Sequence, residues 1–259
     1  MHYIVLTTGS CGNAYAFSDG ENTLLVDDGV TYTKLTASLE NHGIPLSSVR
    51  ALFLTHLHPD HSKGVGVLQR KAGIPVYLSD IAIERNRVVL DRQKIEVKRL
   101  TAFSFGDTVA VPGFSVTPFR TVHDSEGSAG YFITSSGLSV FIMTDTGSVP
   151  PDALGYALKA DVEFIEANYD DELLESGKYT EALKRRIRGE YGHLSNRTAV
   201  NFAKDSARHG DHIYFVHLSA NNNSPERLRE LVRKEIPSGI FCRVLERGEG
   251  LEDFLDGRE

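Results

Sequence analysis

The chain has 259 residues, of which 41% are hydrophobic and 24% are charged, a composition typical of soluble globular proteins. Its formal net charge is −7, which excludes a broad basic face that neutralises many phosphates as the main binding surface. The length suits one large domain or two small ones. Because no low-complexity linker divides the chain, we expect a single domain over residues 1–259.

Cysteine usage and the N-terminus indicate the compartment. Cys11 and Cys242 are far apart and lack metal-type spacing, which fits a reducing environment better than a disulfide. The stretch Met1–Leu6 has no basic region, meets Gly9 too early for a signal peptide, and no apolar run reaches membrane length. We therefore expect a cytoplasmic protein without a membrane contact or an obligate protein partner.

The first part of the chain alternates apolar runs of strand length with helix-like spacing. Strands are predicted at Tyr3–Leu6, Tyr15–Phe17, Thr23–Val26, Ala51–Leu54 and Pro75–Leu78, with an irregular strand from Ile95 to Leu100. Helices are predicted around Leu35 and Leu39 with a cap at Thr31 or Thr33, from Val65 to Gly73, and from Ser79 to about Leu90.

The middle of the chain is rich in strands, and helices return after Pro150. Strands are predicted at Thr108–Val111, Phe114–Phe119, Gly130–Thr134, Leu138–Met143, Val162–Ile165, Ile213–Val216 and Phe241–Leu245. Helices are predicted at Asp152–Lys159, near Asp170–Glu175, at Thr180–Arg188, and after the caps Ser195 and Ser224. This order favours two sheets with outer helices.

The densest group of chemically active side chains is the loop Thr55–His61, which carries His56, His58, Asp60 and His61. It follows directly on a buried apolar strand, so four ligand-type side chains leave one tight loop together. Imidazole nitrogens and carboxylate oxygens are ligands for zinc, manganese or iron. A polar loop with chance histidines is the simpler interpretation, but this density favours a metal site.

Three further candidate ligands stand at or just beyond the ends of apolar strands, where side chains are held rigidly: His123, Asp145 and His217. Taken singly, they fit a surface histidine, a turn and a core histidine. Taken together with the loop, they favour coordination of metal.

The spacing within the loop suggests how the ligands divide. His56 and His58 can point at one ion, and Asp60 and His61 at a second. Asp145 is the natural bridge, because a carboxylate can give one oxygen to each ion.

This pattern resembles the metallo-β-lactamase fold superfamily, whose His-x-His-x-Asp-His motif matches Thr55–His61. The later ligands of that family match His123, Asp145 and His217 in order. The resemblance covers nearly the whole chain and implies an α/β fold, an αββα sandwich of two mixed β-sheets with outer helices. It also implies two divalent ions, Zn²⁺ or Mn²⁺, and a buried aspartate, Asp27, that braces the metal loop.

Other residues suggest the substrate class. In tRNase Z-like phosphodiesterases an acidic motif, a Gly-His-Ser type motif and a strand-end His-x-Ser follow one another, and Glu166–Asp170, Gly192–Asn196 and His217–Ser219 are similar. Within the fold, the chain resembles the YycJ/VicX (WalJ-like) branch of bacterial nucleases. That resemblance extends to Gly9–Asn13, where Cys11 departs from the pattern.

The expected chemistry is phosphodiester hydrolysis. Two ions about 3.5–4 Å apart activate a shared water, so we expect a bridging hydroxide to attack phosphorus while Asp60 accepts its proton. His193, just before a predicted helix, is the candidate that binds the phosphate or protonates the leaving oxygen, with Glu166 orienting it. The alternative is that His193 and Glu166 are merely polar residues at the ends of elements.

Four residues are candidate contacts to the substrate phosphates: Ser195, Asn196, Arg185 and Arg186. The first two stand at a predicted helix start, where backbone N–H groups favour an anion. The arginines belong to the basic run Lys184–Arg188, which a solvated helix face explains equally well.

We therefore predict a metal-dependent phosphodiesterase or nuclease that acts on DNA in preference to RNA, in the manner of an exonuclease. One alternative is a small-molecule hydrolase of the same fold, such as a cyclic phosphodiesterase, a thioesterase or a lactonase. The loop Gly192–Asn196 disfavours the last two, because neutral acyl substrates have no phosphate to hold. The other is a non-catalytic metal-binding or sensor protein. The interval from Asp145 to His217 is too short for the β-CASP insertion of longer relatives.

Overall fold

The computed structural model describes residues 1–254, which form two seven-stranded sheets and the helices around them. The strands are β1 (His2–Thr7), β2 (Ala14–Ser18), β3 (Thr23–Val26), β4 (Val49–Phe53), β5 (Val76–Ser79), β6 (Leu100–Phe103), β7 (Val109–Val111), β8 (Phe114–Arg120), β9 (Ala129–Ser135), β10 (Leu138–Met143), β11 (Val162–Glu166), β12 (His212–Val216), β13 (Phe241–Val244) and β14 (Leu251–Phe254). The helices are α1 (Tyr32–Asn41), α2 (Pro59–Ser62), α3 (Val65–Ala72), α4 (Asp80–Arg85), α5 (Arg87–Arg92), α6 (Ala153–Ala157), α7 (Asp171–Ser176), α8 (Glu181–Arg188), α9 (Asn196–Ser206) and α10 (Pro225–Glu235).

The two sheets have the same plan. The first has the order β14-β1-β2-β3-β4-β5-β6, and the second the order β13-β12-β11-β10-β9-β8-β7. Strands β3 to β6 pair in parallel, as do β10 to β13, and the remaining pairs are antiparallel. Strand β8 is antiparallel to β9, which is antiparallel to β10, so β8 runs in the same direction as β10. The carboxyl ends of β8, β10, β11 and β12 therefore lie at one edge of the second sheet.

Three hydrophobic cores hold these layers together. The central core lies between the sheets, where Tyr3 and Tyr15 of the first sheet meet Phe164 and Tyr214 of the second. A second core packs the first sheet against helices such as α1 and α3, and a third packs the other sheet against α6, α9 and α10. This arrangement confirms the predicted αββα sandwich, and burial of apolar area on both faces of each sheet stabilises it.

The helix ends follow from short-range chemistry. The hydroxyls of Thr31, Ser195 and Ser224 accept hydrogen bonds from backbone N–H groups in the first turns of α1, α9 and α10. Within residues 1–254, no helix has both the length and the apolar character that crossing a membrane requires.

Two predicted elements differ in the structure, and one observed strand was not predicted. The helix predicted from Ser79 to about Leu90 is two helices, because Asn86 leaves helical geometry with φ −110° and ψ 32°. The strand predicted from Ile95 begins only at Leu100, after a 3₁₀ turn at Val97–Arg99. Strand β14 was not predicted, since its two central residues are acidic and only its antiparallel pairing with β1 makes it a strand.

Glu163 of β11 is a fully buried carboxyl at the opposite end of its strand from Glu166. Its Oε2 accepts a hydrogen bond of 2.8 Å from the Ser206 hydroxyl, and within residues 1–254 Oε1 has no hydrogen-bond partner. Burial raises the pKa of Glu163 to about 8, so the group is protonated at neutral pH. The unfolded chain holds this proton more weakly, so folding becomes less favourable as the pH rises between about 4.5 and about 8.

We expect Glu163→Gln to remove this pH dependence. Between pH 5 and pH 8, the wild type should lose on the order of 4 kcal/mol of unfolding free energy relative to the variant. Above pH 8 the difference between the two proteins should no longer change. Urea titrations at several pH values measure it. A difference in unfolding free energy that has the same value at pH 5 and pH 8 would contradict the assignment. A constant amount added to the difference at every pH would not, since the amide loses or gains hydrogen bonds independently of pH.

Candidate metal centre

The candidate ligands converge at one edge of the sandwich. The loop after β4 carries His56, His58, Asp60 and His61, and the loops after β8, β10 and β12 carry His123, Asp145 and His217. Both sheets contribute, because the carboxyl ends of β3 and β4 face those of β8, β10 and β12. Among residues 1–254, the structure brings all seven candidate ligands predicted from the sequence into four overlapping groups, within each of which the ligand atoms lie in metal-ligand reach of one another; one of these groups also includes Glu166 and His193.

The first cluster consists of His56, His58 and His123. Nδ1 of His58 lies 3.2 Å from Nε2 of His123. Two nitrogens bound to one tetrahedral zinc ion are roughly 3.3 Å apart, given a Zn–N bond of about 2.0–2.1 Å. Burial and neighbouring histidines lower the pKa of His56 far below its ordinary value and lower that of His58, so both rings are neutral, as a ligand must be.

Hydrogen bonds to the other ring nitrogens orient this cluster. Nδ1 of His56 lies 3.0 Å from the Thr55 hydroxyl, and Nδ1 of His123 lies 3.0 Å from the carbonyl oxygen of Gly192. The Thr55 hydroxyl donates to Asp27 and the Gly192 carbonyl only accepts, so each Nδ1 is the donor. That tautomer leaves the Nε2 lone pair of both rings facing the site.

The second cluster consists of Asp60, His61 and His217. Oδ2 of Asp60 lies 3.8 Å from Nε2 of His61 and 3.6 Å from Nε2 of His217. Nδ1 of His61 donates to Asp27 Oδ2 at 2.6 Å, and Nδ1 of His217 donates to Glu166 Oε1 at 2.9 Å. As in the first cluster, a buried acceptor takes one ring proton and directs the other nitrogen inward.

Asp145 lies between the two clusters. Its Oδ2 is 3.2 Å from Nε2 of His61, and its Oδ1 is 3.7 Å from Nε2 of His123. Oδ1 is also 3.7 Å from Nδ1 of His217, so the carboxylate lies beside members of both clusters, as a bridging ligand would.

Charge and unpaired atoms show that a divalent ion fits this group. Among residues 1–254, three buried site atoms have no hydrogen-bond partner: His56 Nε2, Asp145 Oδ2 and His217 Nε2. Buried polar atoms without partners are costly, and a cation would satisfy all three. Burial opposes a proton on His217, but the nearby carboxylates outweigh it and raise its pKa to about 10; the same charges favour a metal ion in place of that proton.

Glu166 and His193 form a pair beside the clusters. Glu166 is fully buried, and its Oε1 accepts from Nδ1 of His193 at 2.7 Å as well as from His217. Burial alone would raise the pKa of Glu166, but these two histidines outweigh it and hold the pKa at about 2. Burial opposes protonation of His193, yet the Glu166 carboxylate raises its pKa above the ordinary value. Because its Nδ1 is engaged, His193 has Nε2 available to a ligand in the cavity.

Three strand-end residues of this edge adopt left-handed backbone conformations: Asp27 with φ 61°, Asp145 with φ 53° and His217 with φ 59°. Such conformations cost on the order of 1–3 kcal/mol each and cluster at functional sites. They turn the chain sharply after β3, β10 and β12, which points the side chains across the gap between the sheets.

The sequence of this chain matches a known protein family. A family model described as "Beta-lactamase superfamily domain" matches residues 22–218, more than half of the chain. The chain belongs to the metallo-β-lactamase superfamily. This confirms the family resemblance carried by the Thr55–His61 motif.

Two relatives and one solved structure illustrate the similarity. Exodeoxyribonuclease WalJ of Streptococcus pneumoniae is 31% identical over 251 residues, covering 93% of this chain and 92% of the relative. Exodeoxyribonuclease YycJ of Bacillus anthracis is 30% identical over 253 residues, covering 97% of this chain and 94% of the relative. The metallo-β-lactamase fold protein YhfI of Bacillus subtilis superposes with a TM-score of 0.72 at 22% identity, covering 97% of this chain and 99% of that chain. The last likeness confirms the fold.

Not every predicted contact residue reaches the cavity beside the ligands. The Ser195 hydroxyl caps α9, and the Asn196 amide donates to Asn223, so neither side chain lines the cavity. Arg185 is exposed on α8 outside the cavity lining, whereas Arg186 lies in it. Local capping and helix phase thus place the side chains of Ser195, Asn196 and Arg185 outside this cavity, and their contact with phosphate stays a prediction.

The basic run Lys184–Arg188 also does not form one cationic surface. Lys184 is buried with its Nζ 3.1 Å from Glu181, and Arg188 lies 2.9 Å from Glu175. Arg186 donates from Nε to Asp124 Oδ2 at 2.6 Å, and Asp124 Oδ1 lies 3.4 Å from Nε2 of His58. Ion pairs within the protein thus consume most of this charge.

Sequence reasoning missed several residues that support the ligands. The Asn13 amide nitrogen lies 2.9 Å from Nε2 of His61, and the Asn13 backbone N–H donates to the Asp60 carbonyl at 2.7 Å. Gly29 packs so closely that a Cβ there would lie 1.6 Å from the Asp60 carbonyl oxygen. Both follow turn signals that the sequence displays, in Gly9–Asn13 and Asp27–Gly29, but no local pattern shows what those turns touch. Asp124, which lies beside His58 and pairs with Arg186, likewise had no predicted role.

Proposed function

We propose that the chain is a dinuclear metal-dependent nuclease that removes nucleotides from an end of DNA, with Zn²⁺ or Mn²⁺ as the ions. His56, His58 and His123 would hold one ion, Asp60, His61 and His217 would hold the other, and Asp145 would contact both. When bound, such ions lower the pKa of a water and neutralise charge on a phosphate. Neutralisation by metal suits a chain whose net charge is −7.

The observation that carries the proposal is the Glu166–His193 pair next to these ligands. Nδ1 of His193 lies 2.7 Å from Glu166 Oε1 and 3.7 Å from Asp145 Oδ1, so the ring stands at the edge of the candidate metal centre. A protonated imidazole there binds a phosphate oxygen and gives a proton to the departing alkoxide. Thioesters and lactones carry no phosphate that a cationic imidazole could bind. The position of His193 therefore favours a phosphodiester substrate over a thioester or a lactone.

Asp60 is the candidate base. Burial opposes ionisation of Asp60, but His217 and His61 outweigh it and bring its pKa to about 2, so the carboxylate is ionised at neutral pH. Asp60 and His193 both line the same cavity, so a candidate base and a candidate acid face one site.

DNA as the substrate, and attack from an end, are supported by the two relatives named exodeoxyribonucleases. Their sequences align with this chain over nearly its whole length, so the comparison includes the region of Glu166 and His193 as well as the ligand loop.

A metal-replacement assay tests the proposal. Protein stripped with a chelator is reloaded with Zn²⁺, Mn²⁺ or Mg²⁺ and incubated with labelled single- and double-stranded DNA and RNA, with circular single-stranded DNA as the control without ends. We expect hydrolysis of linear DNA, restored by Zn²⁺ or Mn²⁺, with circular DNA left intact. Turnover of a thioester together with inertness toward every phosphodiester would show instead an acyl hydrolase of this fold.

A further inference from the structure

Helix α8 directs its two large aliphatic side chains into the cavity of the metal centre. Leu183 and Ile187, four residues apart, line this cavity of about 250 Å³ together with Tyr179 just before the helix. All three are partly buried, yet within residues 1–254 none of them belongs to the three hydrophobic cores. A helix of a globular protein normally packs its apolar face against a core. The surface of Tyr179, Leu183 and Ile187, here called the apolar wall, instead faces the cavity, where a ligand could cover it.

The wall is held in place from three sides. Lys184, buried on the same helix, lies 3.1 Å from Glu181 and donates to the carbonyl oxygen of Glu175. Arg186 pairs with Asp124 beside His58. The Tyr179 hydroxyl accepts a hydrogen bond of 2.8 Å from the Asn221 amide, in the loop that follows His217. The apolar wall is thus tied to the loops that carry the candidate ligands.

The cavity therefore has two chemically different halves. One half presents His58, Asp60, His193 and His217, the side chains proposed to handle a phosphate, and Arg186 adds a cation between the halves. The other half is the apolar wall of Tyr179, Leu183 and Ile187. A ligand that matches has an anionic group at one end and a flat apolar group at the other, separated by a short polar spacer.

We propose that Tyr179, Leu183 and Ile187 form a nucleobase subsite for the nucleotide whose phosphate lies at the metal centre. This inference rests on the proposed phosphodiesterase function. Every base has a π-face that packs against aromatic and aliphatic side chains, so the subsite accepts any base. The cavity, of about 250 Å³, offers room for the base beside the candidate metal ligands.

Equilibrium binding of two product-like ligands tests the subsite without turnover. Deoxyadenosine 5′-monophosphate and 2-deoxyribose 5-phosphate carry the same phosphate and sugar and differ in the base. By calorimetry on the zinc-loaded protein, we expect the nucleotide to bind about tenfold more tightly. In the double variant Leu183→Ser/Ile187→Ser the ratio should fall close to one, with the affinity for 2-deoxyribose 5-phosphate within twofold of the wild type.

Two controls keep the outcome interpretable. Leu154→Ser, at a partly exposed leucine of α6 outside the cavity lining, should keep the tenfold ratio. Tyr179→Ala should lower it, and Tyr179→Phe, which loses only the hydrogen bond from Asn221, should lower it less. Equal affinities of the wild type for both ligands, or equal weakening of both in the double variant, would overturn the subsite.

Different experimental results would refute the proposed function and the proposed subsite. If the wild type shows the tenfold ratio but hydrolyses no oligonucleotide, the subsite stands as a nucleotide-binding site and the nuclease proposal falls. If linear DNA is hydrolysed while the ratio is one, the nuclease stands and the subsite falls.

Discussion

Replacing His193 with alanine should lower kcat for DNA hydrolysis by a factor of about 100 to 1,000, with the metal content unchanged. The factor is what a positioned general acid typically contributes. His193 lies within metal-ligand reach of Asp145, Glu166 and His217, but its Nδ1 donates to Glu166, so we leave it out of the proposed ligand set and assign its Nε2 to the substrate. Burial opposes the proton on His193, but Glu166 outweighs it and raises the pKa, so the acid's contribution is lost as the pH rises through that raised pKa.

Single-turnover assays and elemental analysis of the purified variant test this prediction. The decline of kcat at high pH that the wild type owes to His193 should be absent from the variant. A p-nitrophenyl phosphodiester, whose leaving group needs no proton, should be affected much less than DNA. His209→Ala, at an exposed histidine outside the cavity lining, serves as the matched control and should behave as the wild type. Loss of metal from the His193 variant would contradict a purely catalytic role.

Replacing His56 with alanine should reduce activity to background and deplete the protein of metal. His56 is almost fully buried, its neutral ring turns an unpaired Nε2 toward the site, and the Thr55 hydroxyl fixes its tautomer. Removing one of three nitrogens from the first cluster leaves an ion with too few protein ligands to be retained. The effect on activity should therefore exceed that at His193, where the ion remains.

The measurement pairs metal content with activity and with a circular dichroism spectrum, which reports whether the variant is folded. Excess Zn²⁺ or Mn²⁺ should restore little activity to the His56 variant. Full metal content in this variant would remove His56 from the ligand set. Equal metal loss in the His56 and His193 variants would refute the division between ligand and acid.

Much of the fold was readable from periodicity because each strand is a short run of consecutive apolar residues. Ala51–Leu54, Leu138–Met143 and Val162–Ile165 were recognised for that reason, and each lies within one or two residues of an observed strand. Strand β14 shows the limit of this approach. Its polar centre has no strand signal of its own, and its partner β1 lies almost the whole chain away.

The candidate site residues likewise divide into those that a local sequence pattern reveals and those that it does not. The ligand loop is compact in sequence, and a ligand after an apolar strand is a local pattern, so all seven candidate ligands could be named before the fold was known. The roles of Asp27, Glu166 and His193 came from a family resemblance. Ser195 shows what a local argument leaves open, since the structure engages its hydroxyl in capping α9, outside the cavity lining.

The sequence alone determined which side chains are candidate ligands, because strand-forming runs and the ligand types that follow them are encoded in a few neighbouring residues. The tertiary structure decided which ring nitrogen of each histidine faces the site, how Asp145 stands between two clusters, and that Leu183 and Ile187 face a cavity. These depend on contacts between residues far apart in the chain, such as Asn13 with His61 and Glu166 with both His193 and His217. No local pattern encodes them, since packing of the two sheets sets the distances.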